Sequence, residues 1–359
     1  MNLNKHLRLI MASTVISLVF SAMACVQSAN QNSGNNSGSS KKTGKIRIGL
    51  SMDTLKEERW QKDRDVFVKR AEELGAEVLV QAADGKDETQ IKQAESLMTQ
   101  GIDVLVVIPH NGEVAATIVD AAKRQNVPVI SYDRLIRNSE PDLYISFDNE
   151  KVGEMQAKYL VEKAPKGNYF LIGGAPTDNN AKLLRQGQLN ILQPLIDKGD
   201  IKITANQWSR DWLAEEALSH TENALTMNRN DVAAIVASND GTAGGSIQAL
   251  ITQKLAGKVF VSGQDADVAA LQRIVAGTQT MTVYKPVSKL AMKAAEAAVA
   301  LAKKEKIETN GKVNNGKIDV PSILLEPILV DKNNLDETVI KDGYQKREDV
   351  YKNAPAEQK

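Results

Sequence analysis

Val104-Leu105-Val106-Val107-Ile108 is a run of five apolar residues with no polar residue among them. A strand with one wet face alternates apolar and polar residues. This one does not, so it belongs to a parallel sheet covered by helices on both faces. Upstream of it, Val78-Leu79-Val80 precedes a helix with Ile91, Ala94, Leu97 and Met98 on one side. Downstream, Ala115, Ile118, Val119 and Ala122 form a helical face before Val127-Pro128-Val129-Ile130. Further upstream, the run Ile46 to Met52 is followed by a helix with Phe67, Ala71 and Leu74 inward. The same unit restarts at Tyr169-Phe170-Leu171-Ile172 and continues through Ile201-Lys202-Ile203, Ala234 to Ala237, Val259-Phe260-Val261 and Met281-Thr282-Val283. The pattern predicts an α/β protein of two doubly wound parallel-sheet units.

A weak internal repeat runs through both units. From Ile102 to Asp133 the order is strand, Asn111, helix, strand, Ser131, Asp133; from Val232 to Asp265 it is strand, Asn239, helix, strand, Ser262, Asp265. Each Asn and Asp falls just past the carboxyl end of its strand, where open α/β sheets bind ligands. Two such sheets make a cleft that collects polar groups from both.

Among 359 residues, 45 Lys and Arg balance 45 Asp and Glu, which argues against nucleic acid as the main ligand. One cysteine and three histidines are too few for a zinc, haem or iron-sulfur site, and no cofactor or metal is expected. Residues 1–24 read as a secretory signal: Lys5, His6 and Arg8 precede an uncharged stretch from Leu9 to Ala24. Ala22-Met23-Ala24-Cys25 resembles a bacterial lipobox, in which the Cys is lipidated, although that pattern prefers Leu where Ala22 stands. The alternative is an ordinary signal peptide with Cys25 incidental. Residues 25–44 then supply a Ser, Asn, Gly and Gln tether with nothing to bury.

Polar residues at strand ends are Asp53, Asp133 and Arg134 in the first unit, and Asp178, Asn179, Asn239, Asp240, Gln264, Asp265 and Lys285 in or beside the second. Planar Asp, Asn and Arg groups can each bond two neighbouring sugar hydroxyls, the ionised ones more strongly. An aromatic ring can cover the apolar face of a pyranose. Trp60, beside Arg59, and Trp212, after Arg210-Asp211, lie in polar stretches near helix starts. Half-buried packing would equally explain each Trp, and helix capping each single Asp or Asn. As a set drawn from both units, they favour a carbohydrate site. Gly241 to Ser246 fits neither phosphate-loop spacing, and His110 at a strand end is placed where it could touch ligand.

Glu58-Arg59-Trp60-Gln61-Lys62-Asp63-Arg64-Asp65, Ser131-Tyr132-Asp133-Arg134, Ile145 to Gly153, Thr177-Asp178-Asn179-Asn180-Ala181-Lys182, Ser238-Asn239-Asp240, Ser262 to Asp267 and Thr278 to Pro286 closely resemble the D-xylose-binding proteins of bacterial ABC importers, a branch of the type I periplasmic binding proteins. The resemblance runs from about Lys45 to about Val350. It implies two lobes joined by a hinge of three crossings: 45–149 plus 285–326 as the N-terminal lobe, 150–284 plus 327–350 as the C-terminal lobe, and 351–359 as a tail. It also implies that Arg59, Asp133, Arg134, Asp178, Asn179, Asn239, Asp265 and Lys285 bond sugar hydroxyls while Trp60 and Trp212 sandwich the ring. Lys56 stands where the family more often has Arg, a point charge in place of a planar fork.

The resemblance therefore implies a monomeric receptor that delivers D-xylose or a related aldopentose unaltered to an ABC permease; the lipid-type N-terminus departs from that family and would hold the protein at the outer face of the cell membrane, in the periplasm if the cell has an outer membrane. A sensory subunit presenting the sugar to a membrane histidine kinase or chemoreceptor would use the same closed form. An enzyme would need Asp133 and Asp265 as its carboxylate pair. Cationic neighbours of each Asp in the implied site argue against that role. Cys25→Ala in the full gene is expected to release the protein from membranes, read by fractionation; tight retention would contradict lipidation.

Overall fold

The computed structural model describes residues 44–354; the signal, Cys25 and nearly all of the tether, and residues 355–359, lie outside them. The first lobe carries β1 (Arg47–Met52), α1 (Glu58–Glu73), β2 (Glu77–Ala82), α2 (Asp87–Thr99), β3 (Val104–Val107), α3 (Ala116–Arg124), β4 (Val129–Tyr132) and β5 (Leu143–Phe147). In the second lobe lie α4 (Asn149–Lys163), β6 (Gly167–Gly173), α5 (Asn179–Asp197), β7 (Ile201–Trp208), α6 (Ala214–Met227), β8 (Ala234–Ala237), α7 (Asp240–Thr252), β9 (Phe260–Val261), α8 (Val268–Val275) and β10 (Thr282–Tyr284). There follow α9 (Val287–Ala302), β11 (Gly311–Asn314), β12 (Asp319–Leu325), β13 (Ile328–Val330) and a short last helix, α10 (Arg347–Val350).

The continuous apolar runs are buried on both faces. Along β3, Val104 and Val106 enter one core with Phe67, Ile130 and Leu290, while Leu105 and Val107 enter another with Leu97, Ile118 and Val119. Along β8, Ala234 and Val236 pack with Tyr169 and Leu192, and Ile235 and Ala237 with Phe170 and Leu250. The first sheet has the order β11-β12-β5-β4-β3-β1-β2, the second β7-β6-β8-β9. Pairing is parallel throughout except for β11 on β12 and β10 on β13. A bridge between Gln264 and Val283 joins the loop after β9 to β10.

The chain passes from the first sheet to the second between Phe147 and Asn149. It returns between Tyr284 and Val287, because α9 packs on α1, β3, β4 and β5. It crosses a third time between Leu325 and Ile328, where β13 joins β10. The sequence runs expected as strands do not include β5, β11, β12 or β13. The segment after Asp331 is more than a solvated end: Leu335, Val339, Tyr344 and Val350 are buried against Leu271, Ile274 and Tyr284, and partly buried Tyr351 and Ala354 join them. A tail beginning at 351 therefore cuts into packed chain.

In the second lobe, α4 and α5 start at the cleft and pack through paired glycines. A Cβ on Gly153 would stand 2.0 Å from the carbonyl oxygen of Leu184, and one on Gly187 would stand 1.9 Å from that of Glu150. Both obstacles are backbone, so neither can give way without separating the helices. Gly153→Ala is expected to lower stability by about 1–3 kcal/mol, the usual cost of overpacking, in urea unfolding. A change below about 0.5 kcal/mol, the range of a neutral surface substitution, would contradict this packing.

Candidate functional site

Two arginines of the first lobe organise the cleft. Arg59, in the first turn of α1, is 3 % exposed and stacks on Trp60 with its guanidinium carbon 4.1 Å from the ring centre. Its Nη2 donates to Asp133 Oδ2 at 2.8 Å and its Nε to Asp63 Oδ2 at 3.2 Å. Its Nη1 lies 3.7 Å from Asp265 Oδ1 of the second lobe. Arg134, just past β4, donates from Nη1 to Asp53 Oδ2 at 2.6 Å, and its Nε is 2.9 Å from Asp178 Oδ2 across the cleft. Each arginine thus pairs with a carboxylate of its own lobe and one of the other.

Burial would raise every carboxyl here, and the cations decide how far. For Asp133, Arg59, Lys285 and Arg134 outweigh burial and hold it below the usual carboxylate range. For Asp178, burial outweighs Arg134 and raises it. Asp63, which also accepts the Tyr132 hydroxyl, is pushed up to about 6 by burial despite Arg59.

Helix caps hold the groups of the second lobe. Asp178 caps α5 by accepting from the backbone N–H of Asn180 at 2.8 Å while its other oxygen faces Arg134. Asn239 caps α7 in a reciprocal box with Thr242. Helix capping and a place in the cavity lining coincide in these residues. Lys285, at the end of β10, brings Nζ to 3.1 Å from Asp265 Oδ1. Asp133 and Asp265, the paired positions of the internal repeat, both have left-handed backbones, with φ of 58° and 99°. Left-handed φ at Asp211 and Trp212 (51° and 58°) sets the Trp212 ring against Gly174, where a Cβ would meet it at 2.2 Å.

Arg59, Trp60, Asp133, Arg134, Asp178, Trp212, Asn239, Asp265 and Lys285 line one cavity between the lobes, with a volume of about 30 Å³. Two sequence expectations fail here. Lys56 is exposed in the loop before α1 and does not line the cavity. Asn179 is buried but turns away, its Oδ1 accepting from Arg137 Nη1 at 2.8 Å. Successive helical residues point about 100° apart, so only one of the Asn pair can face the cleft. That residue is Asn180, whose Nδ2 donates to the Asp133 carbonyl at 3.0 Å and to Asp133 Oδ1 at 3.1 Å. Glu57 and Gln264 also line the cavity. Gln264 was legible as a strand-end amide, whereas nothing in the sequence separates Glu57 from its neighbours.

Four buried polar atoms of the lining, Glu57 Oε2, Trp212 Nε1, Gln264 Oε1 and Asp265 Oδ1, find no hydrogen-bond partner in the protein, although Asp265 Oδ1 is within ion-pair reach of Lys285 and Arg59. Acceptors and a donor from both lobes therefore point into one small cavity with ionised groups around it. Such a set fits a compact neutral molecule carrying several hydroxyls, each able to donate and accept. Among the described residues, no group of three or more His, Cys, Asp and Glu could hold a metal ion.

Residues 48–306 match the periplasmic binding protein domain family. The chain belongs to that family. Its fold is the type I periplasmic-binding-protein fold. It is 60% identical over 306 residues, 85% of this chain and 92% of the relative, to a protein of Haemophilus influenzae named D-xylose-binding periplasmic protein. A protein of the same name from Escherichia coli is 56% identical, with the same shares covered. Among solved structures, a carbohydrate transporter solute-binding protein of Chloroflexus aurantiacus in complex with D-glucose shares 34% identity at a TM-score of 0.80, covering 86% of this chain and 98% of its own. An ABC transporter solute-binding protein of Clostridium phytofermentans with bound β-D-glucose also has a TM-score of 0.80, at 30% identity, covering 85% and 99%.

At the cleft mouth, His110 Nδ1 is 2.9 Å from Asp53 Oδ1 and Nε2 is 3.8 Å from Asp211 Oδ1 of the second lobe. The Asp53 carboxylate raises the His110 pKa against the opposing effect of burial. A histidine raised on folding contributes stability that is complete below its unfolded value of about 6.5 and is lost as pH climbs through the higher folded value. The stability difference between wild type and His110→Gln is therefore expected to be larger at pH 6 than at pH 8 in urea titrations. A difference independent of pH would contradict the pairing.

Proposed function

We propose that this chain is an extracytoplasmic solute-binding protein that takes D-xylose between its lobes and presents it, unaltered, to the membrane subunits of an ABC permease. Its place outside the cytoplasm follows from the signal-like N-terminus, and a lipid on Cys25 would hold it at the membrane. The observation that carries the reading is the convergence of paired charges and unpartnered polar atoms from both lobes on one cavity. The high identity to two proteins named for D-xylose supports that sugar over other polyols.

In this reading, Arg59, Asp133, Arg134, Asp178, Asn180, Asn239, Asp265 and Lys285 bond hydroxyls, and Glu57 and Gln264 take further ones. Trp60 and Trp212 cover the apolar ring faces. Both tryptophans also pack: Trp60 is 3 % exposed within the first-lobe core, and Trp212 lies on Gly174. A glycosidase reading of Asp133 and Asp265 fares poorly, because a general acid needs a raised pKa and Arg59 lies within 2.8 Å of Asp133 and 3.7 Å of Asp265.

Calorimetry against a panel of aldoses tests the reading. D-xylose is expected to bind most tightly and to be recovered unchanged; product formation at enzymatic rates, or no binding of xylose, would overturn it. Asp265→Ala is expected to weaken binding by about 2–4 kcal/mol, since it removes an ionised acceptor from a desolvated site. Trp212→Ala is expected to weaken binding while changing little the choice between epimers that differ in one hydroxyl. An unaltered affinity in either variant would remove that residue from the site.

A further inference from the structure

Asp240 does not line the cavity, yet its carboxylate is 1 % exposed and fully engaged. Oδ1 accepts from Gln279 Nε2 at 2.8 Å, and Oδ2 accepts from the Thr282 hydroxyl at 3.0 Å and from the backbone N–H of Asp267 at 3.1 Å. Its own backbone N–H donates to the carbonyl of Gln264 at 3.0 Å. A Cβ on Gly263 would stand 2.0 Å from Asp240 Oδ1, so the chain there runs directly over the carboxylate. Asp240 therefore grips the segment Gly263 to Asp267 at both ends.

Between those grips lie Gln264 and Asp265, which line the cavity, and Ala266. Asp265 and Ala266 have φ of 99° and 55°. Two consecutive non-glycine residues keep positive φ only where their surroundings over-determine it. Strand β10 holds part of the turn: the Asp265 N–H donates to the Val283 carbonyl at 2.9 Å and the Val283 N–H to the Gly263 carbonyl at 3.1 Å. Side chains hold the rest: Gln156 donates to the Gly263 carbonyl at 3.0 Å and Gln345 to the Ala266 carbonyl at 3.1 Å, while the Asp240 carboxylate lies under Gly263 and accepts from the Asp267 N–H.

An acid at a helix start favours the helix without being buried. Burial and the nearby Asp265 carboxylate push Asp240 up to about 7, against the pull of Arg273, so its place is kept at a cost. Arg273 braces it from α8, donating to the Asp240 carbonyl at 2.8 Å and to Gln279 Oε1 at 2.9 Å.

We propose that Asp240 is a positioning residue: its carboxylate fixes the left-handed turn that aims Gln264 and Asp265 at the ligand. The proposal rests on the sugar-binding reading for its ligand but not for its first test. Asp240→Asn keeps the shape and sets an NH2 against donors that now meet an oxygen. In ¹⁵N-labelled protein without sugar, the amide resonances of Gln264, Asp265, Ala266 and Asp267 are expected to move in the variant while those of β3 stay. Unmoved turn resonances would overturn the proposal whatever the ligand proves to be.

The second test is a cycle with D-xylose. Asp240→Asn is expected to raise Kd about tenfold in the wild-type background and by less than about twofold in Asp265→Ala, the coupling of residues that act through one another. An effect of equal size in both backgrounds would assign Asp240 a general structural role and overturn the proposal. If Asp240→Asn does not fold, Thr282→Val removes one donor, leaves the carboxylate in place and is judged by the same two tests. A wild-type protein that binds no xylose would refute the sugar reading, and the resonances would still decide for or against Asp240.

Discussion

The cleft depends on two buried guanidinium groups that each serve two carboxylates on opposite lobes. Arg59 reaches Asp133 and Asp265, and Arg134 reaches Asp53 and Asp178. A charge taken out of water is tolerable only when paired and hydrogen-bonded, so these arginines are satisfied most fully when the lobes are together. Closure nevertheless leaves Glu57, Gln264 and Trp212 each with a buried polar atom lacking a partner. Each such atom costs about 1–3 kcal/mol. A ligand whose hydroxyls reach those atoms removes that cost only in the closed form, which is the differential interaction a population shift requires. Binding and closure are then one equilibrium.

The scaffold explains why these groups arrive together. Most of them sit past the carboxyl ends of parallel strands or on the first turn of the helices that follow, the crevice that open α/β sheets present to ligands, while Lys285 comes from the end of β10, which pairs antiparallel with β13. Helix caps hold Asp178 and Asn239, left-handed backbones aim Asp133, Asp265 and Trp212, and glycines let α4 and α5 approach closely. Local strain at the site is carried on either side by a sheet packed between two helix layers.

The two-sheet architecture was legible because its strands are continuous apolar runs, and β3 and β8 show the two-faced burial that such runs imply. The later strands were not. β11 alternates polar residues at Lys312 and Asn314, and Pro321 sits inside β12, a residue that normally argues against a strand interior. Most of the site was legible as polar residues at strand ends together with a family resemblance. What escaped was direction: Asn180 in place of Asn179, and Glu57 lining the cleft while Lys56 beside it stays in solvent. Adjacent residues differ by a rotation that composition and spacing do not encode. The turn carrying Asp211 and Trp212 is hidden too, since a bulky Trp normally avoids the positive φ that Trp212 adopts.

The central claim is that one ligand is held from both lobes at once, so that sugar and closure are inseparable. Small-angle scattering with and without D-xylose measures this most directly. The account predicts a smaller radius of gyration at saturating sugar than in its absence. An unchanged radius, in protein shown by calorimetry to be saturated, would contradict it.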